Sequence, residues 1–249
     1  NIEVKMFVDW FENQQINRGF NMGIAEYYSY VKSIGYQGWV VSNNYYYFHQ
    51  PTKFEKDIGA VPDEIAVIGK GLVKSISKYT NMKTIVSPAF RYDYLHTQST
   101  INAHSELILI SLPHIFDIAK YILKFCFDNL PANQQANVVV NCHPILNINS
   151  LKKYSKFEFK DKPFCELIIN AGVVISNVSS TCIEAISFGV PVIILHGASS
   201  INQNPIPHTI NKNIWDECDN PTDFRKALQR LFINKNIDEQ IKAAKLIRK

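Results

Sequence analysis

The sequence predicts an α/β fold with two parallel sheets and helices on both faces of each. Three observations predict it. Short apolar, β-branched runs alternate with helix-period segments through most of the chain, as βαβ units do. The alternation halts at a polar, aperiodic stretch from Tyr94 to His104 and then restarts, which sets two domains, residues 1–100 and 101–249. Finally, residues 172–195 read without a break as strand, tight loop, helix, turn and strand.

That last stretch organises the rest. Val173 to Ile175 is wholly apolar, as suits a strand buried on both faces of a parallel sheet. The following helix has the spacing of a capping box, Thr181 as cap and Glu184 reaching back. Gly189 stands where a helix stop takes a left-handed residue, Pro191 prevents continuation, and Val192 to Leu195 is a second buried strand.

In the first domain, Val4 to Val8 reads as an opening core strand, followed by a helix from about Gln14 to Tyr30. Ile34 to Val41 is the next strand, with glycines where side chains would crowd. Residues 43–56, with the aromatic run Tyr45 to Phe48, read as a loop or short helix. Ile65 to Ile68 is a strand, Gly69 opens a helix that ends near Asn81, and Thr84 to Ser87 is a strand. In the second domain, strands are expected at Leu107–Ile110, Val138–Val140 and Phe157–Phe159. Helices are expected over 115–125, over 145–154 and over 163–171. Asn220 and Pro221 form a cap and a first helical position. A Lys-rich terminal helix, 237–249, reads as a solvated amphipathic end.

With 46% apolar and 12% aromatic residues among 249, the chain can bury a core. A net charge of +4 without a dense Lys/Arg stripe gives no footprint for nucleic acid. Five cysteines without close pairs make no disulfide framework, so reduced thiols and a cytoplasmic location are expected. No run of 18 apolar residues exists to span a bilayer. The sequence opens on Asn1 and enters a strand at once, as a piece of a longer chain would.

Chemistry gathers at predicted strand ends. His143 follows a buried strand, with Pro144 fixing the backbone behind it; ligands of open α/β sheets bind at that edge. Ser176, Ser179, Ser180 and Thr181 crowd a helix N-terminus, where hydroxyls and unpaired N–H groups can cradle a phosphate. Ser111 opens the turn after the Leu107–Ile110 strand and is a further candidate for the phosphate. No metal-ligand spacing such as Asp-x-Asp or Cys-x-x-Cys occurs, and no cofactor is implied.

Asn141-Cys-His-Pro144, followed some thirty residues later by Val174-Ile-Ser-Asn-Val-Ser-Ser-Thr-Cys-Ile-Glu-Ala185, resembles the donor domain of GT-B glycosyltransferases. It is most similar to those of bacterial capsule, lipopolysaccharide and teichoic-acid assembly. Bacterial sialyltransferases and related CMP-sugar transferases hold the donor phosphate with a His-Pro and a Ser-Ser or Ser-Thr motif. The resemblance thus implies His143, Ser179 and Ser180 as phosphate ligands and two Rossmann-like domains, the first on the acceptor side. It also implies Glu184 as a ribose ligand, in competition with its capping role. Trp10 to Gln14, Gly35 to Gly38 and Pro62 to Val67 resemble uncharacterised surface-carbohydrate biosynthesis proteins. The first domain has fewer strands than such acceptor domains, so either an amino-terminal portion is absent or the domain is reduced.

The resemblance implies a metal-independent transferase with a nucleotide-sugar donor, CMP-sugar favoured, and a cell-surface glycan or glycolipid acceptor, working in the cytoplasm or peripherally at the inner membrane. The alternatives are an epimerase or polyol-phosphate transferase of the same architecture, or a non-catalytic nucleotide-binding subunit. Transfer to a hydroxyl needs a base. Glu12, beside Trp10 and Phe11, is the named candidate because aromatic surface would raise its pKa. Asp9 is the alternate. Their ordinary duties would be a first-turn Glu favouring the helix dipole and an Asp helix cap.

Overall fold

The structure, a computed structural model, describes residues 3–40, 51–77, 82–97, 105–197, 204–207 and 209–248. The aromatic run at 45–48, the end of the helix expected to reach Asn81 and most of the aperiodic stretch before His104 lie outside the described residues. The fold is α/β with two parallel sheets, and the chain divides into two compact units, Asn1–Asp93 and Tyr94–Lys249.

Unit 1 runs β1 (Met6–Trp10), α1 (Gln15–Tyr27), β2 (Lys32–Gln37), α2 (Lys53–Asp57), β3 (Glu64–Val67), α3 (Lys70–Ser77) and β4 (Lys83–Val86). The four strands are parallel in the order β1-β2-β3-β4. Strands joined in sequence by right-handed crossovers carry all their helices on one face. Phe11, Ile65 and Val67 pack there against Leu72 and Val73 of α3. The expected opening strand is therefore corrected twice: it lies two residues later, and it is an edge strand instead of a core one. Met6, Val8 and Trp10, on the helix-free face, are 46–57% exposed. Helix α1 is inverted relative to an ordinary amphipathic helix. Its buried residues are Asn17 and Asn21, while Ile16, Phe20 and Met22 are exposed.

Unit 2 begins with a short helix α4 (Tyr94–Thr97), inside the stretch expected to be irregular. It continues with β5 (Leu107–Ser111), α5 (Phe116–Asn129), α6 (Ala132–Gln135), β6 (Val138–Asn141), α7 (Ile148–Lys152), β7 (Glu158–Phe159), α8 (Phe164–Ile168), β8 (Ala171–Ser176), α9 (Ser180–Ser187) and β9 (Val192–Leu195). It closes with β10 (Trp215–Cys218), α10 (Pro221–Leu228), a π-helical turn at Gln229–Ile233, and α11 (Ile237–Ile247). Asn220 caps α10 through the N–H groups of Thr222 and Asp223, with Pro221 at its first position, as expected. The terminal helix is not wholly solvated: Gln240, Ala243 and Ala244 are buried, and α11 packs on α9. Strand β10 escaped the sequence reading.

The parallel order is β10-β9-β8-β5-β6-β7. The chain winds outward from β5 to β7, returns to lay β8 on the other side of β5, and winds outward again. β5 and β8 thus flank the reversal point of the sheet, where the crossovers diverge and leave a crevice at the strands' carboxyl ends. Every residue of β8 is buried, as the apolar run from Val173 predicts. Gly189 has φ of +74° and ends α9 as expected.

Gly172 fixes how closely β8 approaches its surroundings. A Cβ there would stand 2.2 Å from the Ser105 carbonyl oxygen and 2.8 Å from the Phe232 ring. The β5–β8 register shifts at this level, between Leu107 and Ile108. Gly172→Ala should therefore cost about 1–3 kcal/mol, the usual range for overpacking a tight core. Urea unfolding checks this, and an unchanged midpoint would mean the backbone yields there freely.

Candidate functional site

The crevice is built by three hydrogen bonds among Ser111, Ser176, Ser179 and Thr181, all candidates from the sequence. Ser176 Oγ, fully buried at the end of β8, donates to the Ser111 carbonyl at 2.7 Å. Ser111 Oγ, at the end of β5, lies 3.1 Å from Thr181 Oγ1. Thr181 Oγ1 in turn lies 2.9 Å from Ser179 Oγ. A hydroxyl chain Ser111–Thr181–Ser179 therefore crosses the reversal point, with Ser176 as its buried footing. Asn177 donates its amide to the Leu195 carbonyl, closing the loop against β9.

The helix cap differs from the expectation. Ser179, not Thr181, is the N-cap of α9, accepting from the Thr181 N–H at 3.3 Å. Three hydroxyl residues in a row offer three caps, and Thr181 is engaged by Ser111 and Ser179. The third helical position is then Cys182, so Glu184 belongs to no capping box. Its carboxylate is nearly buried and accepts a hydrogen bond from the Tyr94 hydroxyl. The Tyr94 ring stacks at 6.2 Å on Phe188, one turn further along α9.

His143 follows β6, beside β5. Its Nδ1 accepts from the Ile145 N–H at 3.3 Å, so the neutral ring carries its proton on Nε2. Pro144 is exposed behind it. His114, three residues past β5, was passed over by the sequence reading; its ring meets that of His143 edge-on at 5.7 Å. The signal was present, since Pro113 and Pro144 each flank a histidine just after a strand. A second overlooked group is His196, buried just past β9, whose Nε2 pairs with Glu217 of β10 at 2.9 Å. That hydrogen bond is the first cause holding the Glu217 carboxyl below its usual range.

In unit 1, neither candidate carboxylate does the ordinary duty considered for it. Helix α1 starts at Gln15, with no acid in its first turn. Glu12 sits in the loop before it, its carboxylate bridging Trp10 Nε1 at 2.8 Å and Gln14 Nε2 at 2.6 Å. Asp9, half-buried on β1, accepts from Asn17 Nδ2 at 2.9 Å. Its other oxygen is buried without a partner among the described residues. Burial outweighs the hydrogen bonds that oppose it and pushes the Asp9 carboxyl above its ordinary range. Asn17, absent from the sequence reading, is the hub: it also takes the N–H groups of Glu12 and Gln14 and donates to the Trp10 carbonyl.

Among the described residues no three His, Cys, Asp or Glu gather to hold a metal ion. No helix there is long and apolar enough to cross a membrane.

Comparison by sequence finds no matching family model and no matching curated protein. Comparison by structure finds likenesses of fold. The accessory secretory protein 1, 2 and 3 structure from Streptococcus pneumoniae is similar at 11% identity and a TM-score of 0.57, over 99% of this chain and 49% of that one. A glycosylation associate protein (Gap123) complex from Streptococcus agalactiae is similar at 11% identity and a TM-score of 0.57, over 99% of this chain and 52% of that one. CalG4, the calicheamicin glycosyltransferase, is similar at 13% identity and a TM-score of 0.49, over 87% of this chain and 63% of that one. The chain spans about half the length of the first two structures. At these identities what is shared is the fold, an α/β chain with two parallel sheets.

Two predictions follow from the α9 loop. Ser179→Ala should lower stability by about 1 kcal/mol, as loss of a cap does; thermal denaturation reads it. Cys182 stands in the first turn of α9, a place that ordinarily acidifies a thiol. Here complete burial wins and pushes it up to about 12. Cys182 should therefore resist iodoacetamide at pH 8 in the native protein and react at an ordinary rate in denaturant, as peptide mapping would show.

Proposed function

We propose that unit 2 binds a nucleotide-activated donor at the β5–β8 crevice and that the protein transfers the donor's sugar to a glycan or glycolipid acceptor, with a CMP-sugar as the favoured donor. The observation that carries this reading is the hydroxyl chain Ser111–Thr181–Ser179 lying across the sheet reversal at the N-terminus of α9. Hydroxyl donors, helix N–H groups and the Nε2–H of His143 are what a phosphate leaving group needs as its charge develops. In this reading Ser179, Ser180, Thr181 and His143 take the phosphate, with Pro144 holding the histidine's backbone. Ser111 and Ser176 hold the loop, and Glu184 takes the ribose.

In the transfer step the acceptor hydroxyl oxygen bonds to the anomeric carbon while the bond from that carbon to the phosphate oxygen breaks. The electron pair leaves with the nucleotide, and the acceptor's proton passes to a base. Glu12 and Asp9 remain the candidates for that base, and burial favours Asp9, because a raised carboxyl pKa suits a base working toward neutrality. Glu12 already accepts from two side-chain donors, Trp10 Nε1 and Gln14 Nε2.

The test is nucleotide binding and transfer by the full chain and its variants. Calorimetry against CMP, CDP, UDP and GDP should find one nucleotide preferred, and His143→Ala should weaken it at least tenfold without altering the melting temperature. Unchanged affinity in that variant removes the phosphate assignment. With the preferred donor and an acceptor in hand, Asp9→Asn should slow transfer by roughly 10²–10⁴-fold, as loss of a general base does. Glu12→Gln should change it little. The wild-type rate should fall toward acid, with its limb above the ordinary value of 3.8 for Asp, because only ionised Asp9 accepts a proton. The opposite ranking of the two variants would give the role to Glu12.

A further inference from the structure

We propose that Tyr94 is a positioning residue that makes the nucleotide site selective for ribonucleotides; this rests on the reading of Glu184 as the ribose ligand. An ionised carboxylate has about four acceptor positions and no donor. Glu184 is only 8% exposed, and among the described residues the Tyr94 hydroxyl is the single hydrogen-bond donor to it. A carboxylate at that depth is left with acceptor capacity to spare, in the direction Tyr94 does not occupy. A vicinal diol supplies two O–H donors at a spacing a carboxylate can take together, so the 2′- and 3′-hydroxyls of a ribose complete it. A 2′-deoxyribose leaves one position unfilled, and a buried charged group left short of a partner is penalised heavily.

What Tyr94 adds is orientation. Its ring is held against Phe188, whose own ring carries the Arg248 guanidinium at 5.6 Å. Arg248 Nε donates to the Ser187 carbonyl at 2.8 Å. Phe188 and Glu184 lie one turn apart on the same side of α9, so stacking on one places the phenol hydroxyl at the other. That bond holds Glu184 Oε2 and biases the carboxylate toward the rotamer that leaves Oε1 for the ligand. A ligand carboxylate whose rotamer is locked by a neighbour discriminates between partners that a freely turning one would accept alike.

The experiment measures affinity for the preferred ribonucleotide among CMP, CDP, UDP and GDP and for its 2′-deoxy counterpart, using wild type, Tyr94→Phe and Glu184→Gln. Wild type should favour the ribonucleotide by roughly tenfold or more, the scale of a hydrogen bond to a charged group. Tyr94→Phe should bring the ratio toward one chiefly by weakening the ribonucleotide, as Glu184→Gln should. If Tyr94→Phe keeps the full ratio while Glu184→Gln loses it, Tyr94 does not position Glu184 and the ribose reading stands. If Tyr94→Phe weakens both nucleotides equally with a lower melting temperature, its role is structural and the proposal is overturned. If both variants keep the ratio, the ribose reading of Glu184 falls with it.

Discussion

The second unit depends on one constraint, the reversal of strand order between β5 and β8. Two neighbouring parallel strands whose crossovers depart in opposite directions cannot both be covered at their carboxyl ends, so a crevice is obligatory there. The polar groups that end those strands would be left facing it. Ser176 and Ser111 resolve this by bonding to each other across the reversal. Everything else in the site hangs from that footing. Thr181 is drawn to Ser111, Ser179 is left as the cap, and Glu184 is turned away from the helix start toward Tyr94.

Much of this was legible in the sequence, because buried parallel strands announce themselves. Val138 to Val140, Val173 to Ile175 and Val192 to Leu195 are wholly apolar and are strands. The missed strand, β10, contains Asp216 and Glu217 on the free edge of the sheet and so lacks the apolar run. The opening strand was misplaced for the converse reason. Val4 to Val8 is apolar enough for a core, yet its strand sits at an edge with no helix over one face, a matter of strand order that periodicity cannot report. Ser179, Ser180 and Thr181 were found as a group, but which of them caps depends on Ser111, seventy residues before Thr181.

The site shows the same division. His143 and the hydroxyl loop carry local motifs, which is why the sequence offers them as candidates. His114, Tyr94, Asn17 and His196 act through partners distant in sequence, and their types alone mark nothing. The two carboxylates at the end of β1 and just past it show why type and neighbourhood in sequence are a poor guide to environment. Glu12, flanked by aromatics in the chain, ends half-buried with both oxygens engaged by side-chain donors. Asp9, on the strand itself, has its carboxyl pushed up by burial.

The inverted helix α1 has a thermal consequence. Asn17 bonds to Asp9 and to the Trp10 carbonyl of β1, Asn21 bonds back to the Asn17 carbonyl within the helix, and of its large, mostly exposed apolar side chains Phe20 meets the Phe7 ring at 6.1 Å. Opening an interface of that kind exposes polar more than apolar surface, so it carries little of the positive heat-capacity change that accompanies exposure of an alkyl core. Hydrophobic attachment weakens on cooling, whereas the docking of α1 has little such attachment to lose. The end of β1 that carries Asp9, and the Glu12 loop beyond it, are therefore tethered by a contact whose strength varies less with temperature than that of the valine- and isoleucine-packed sheet of the second unit.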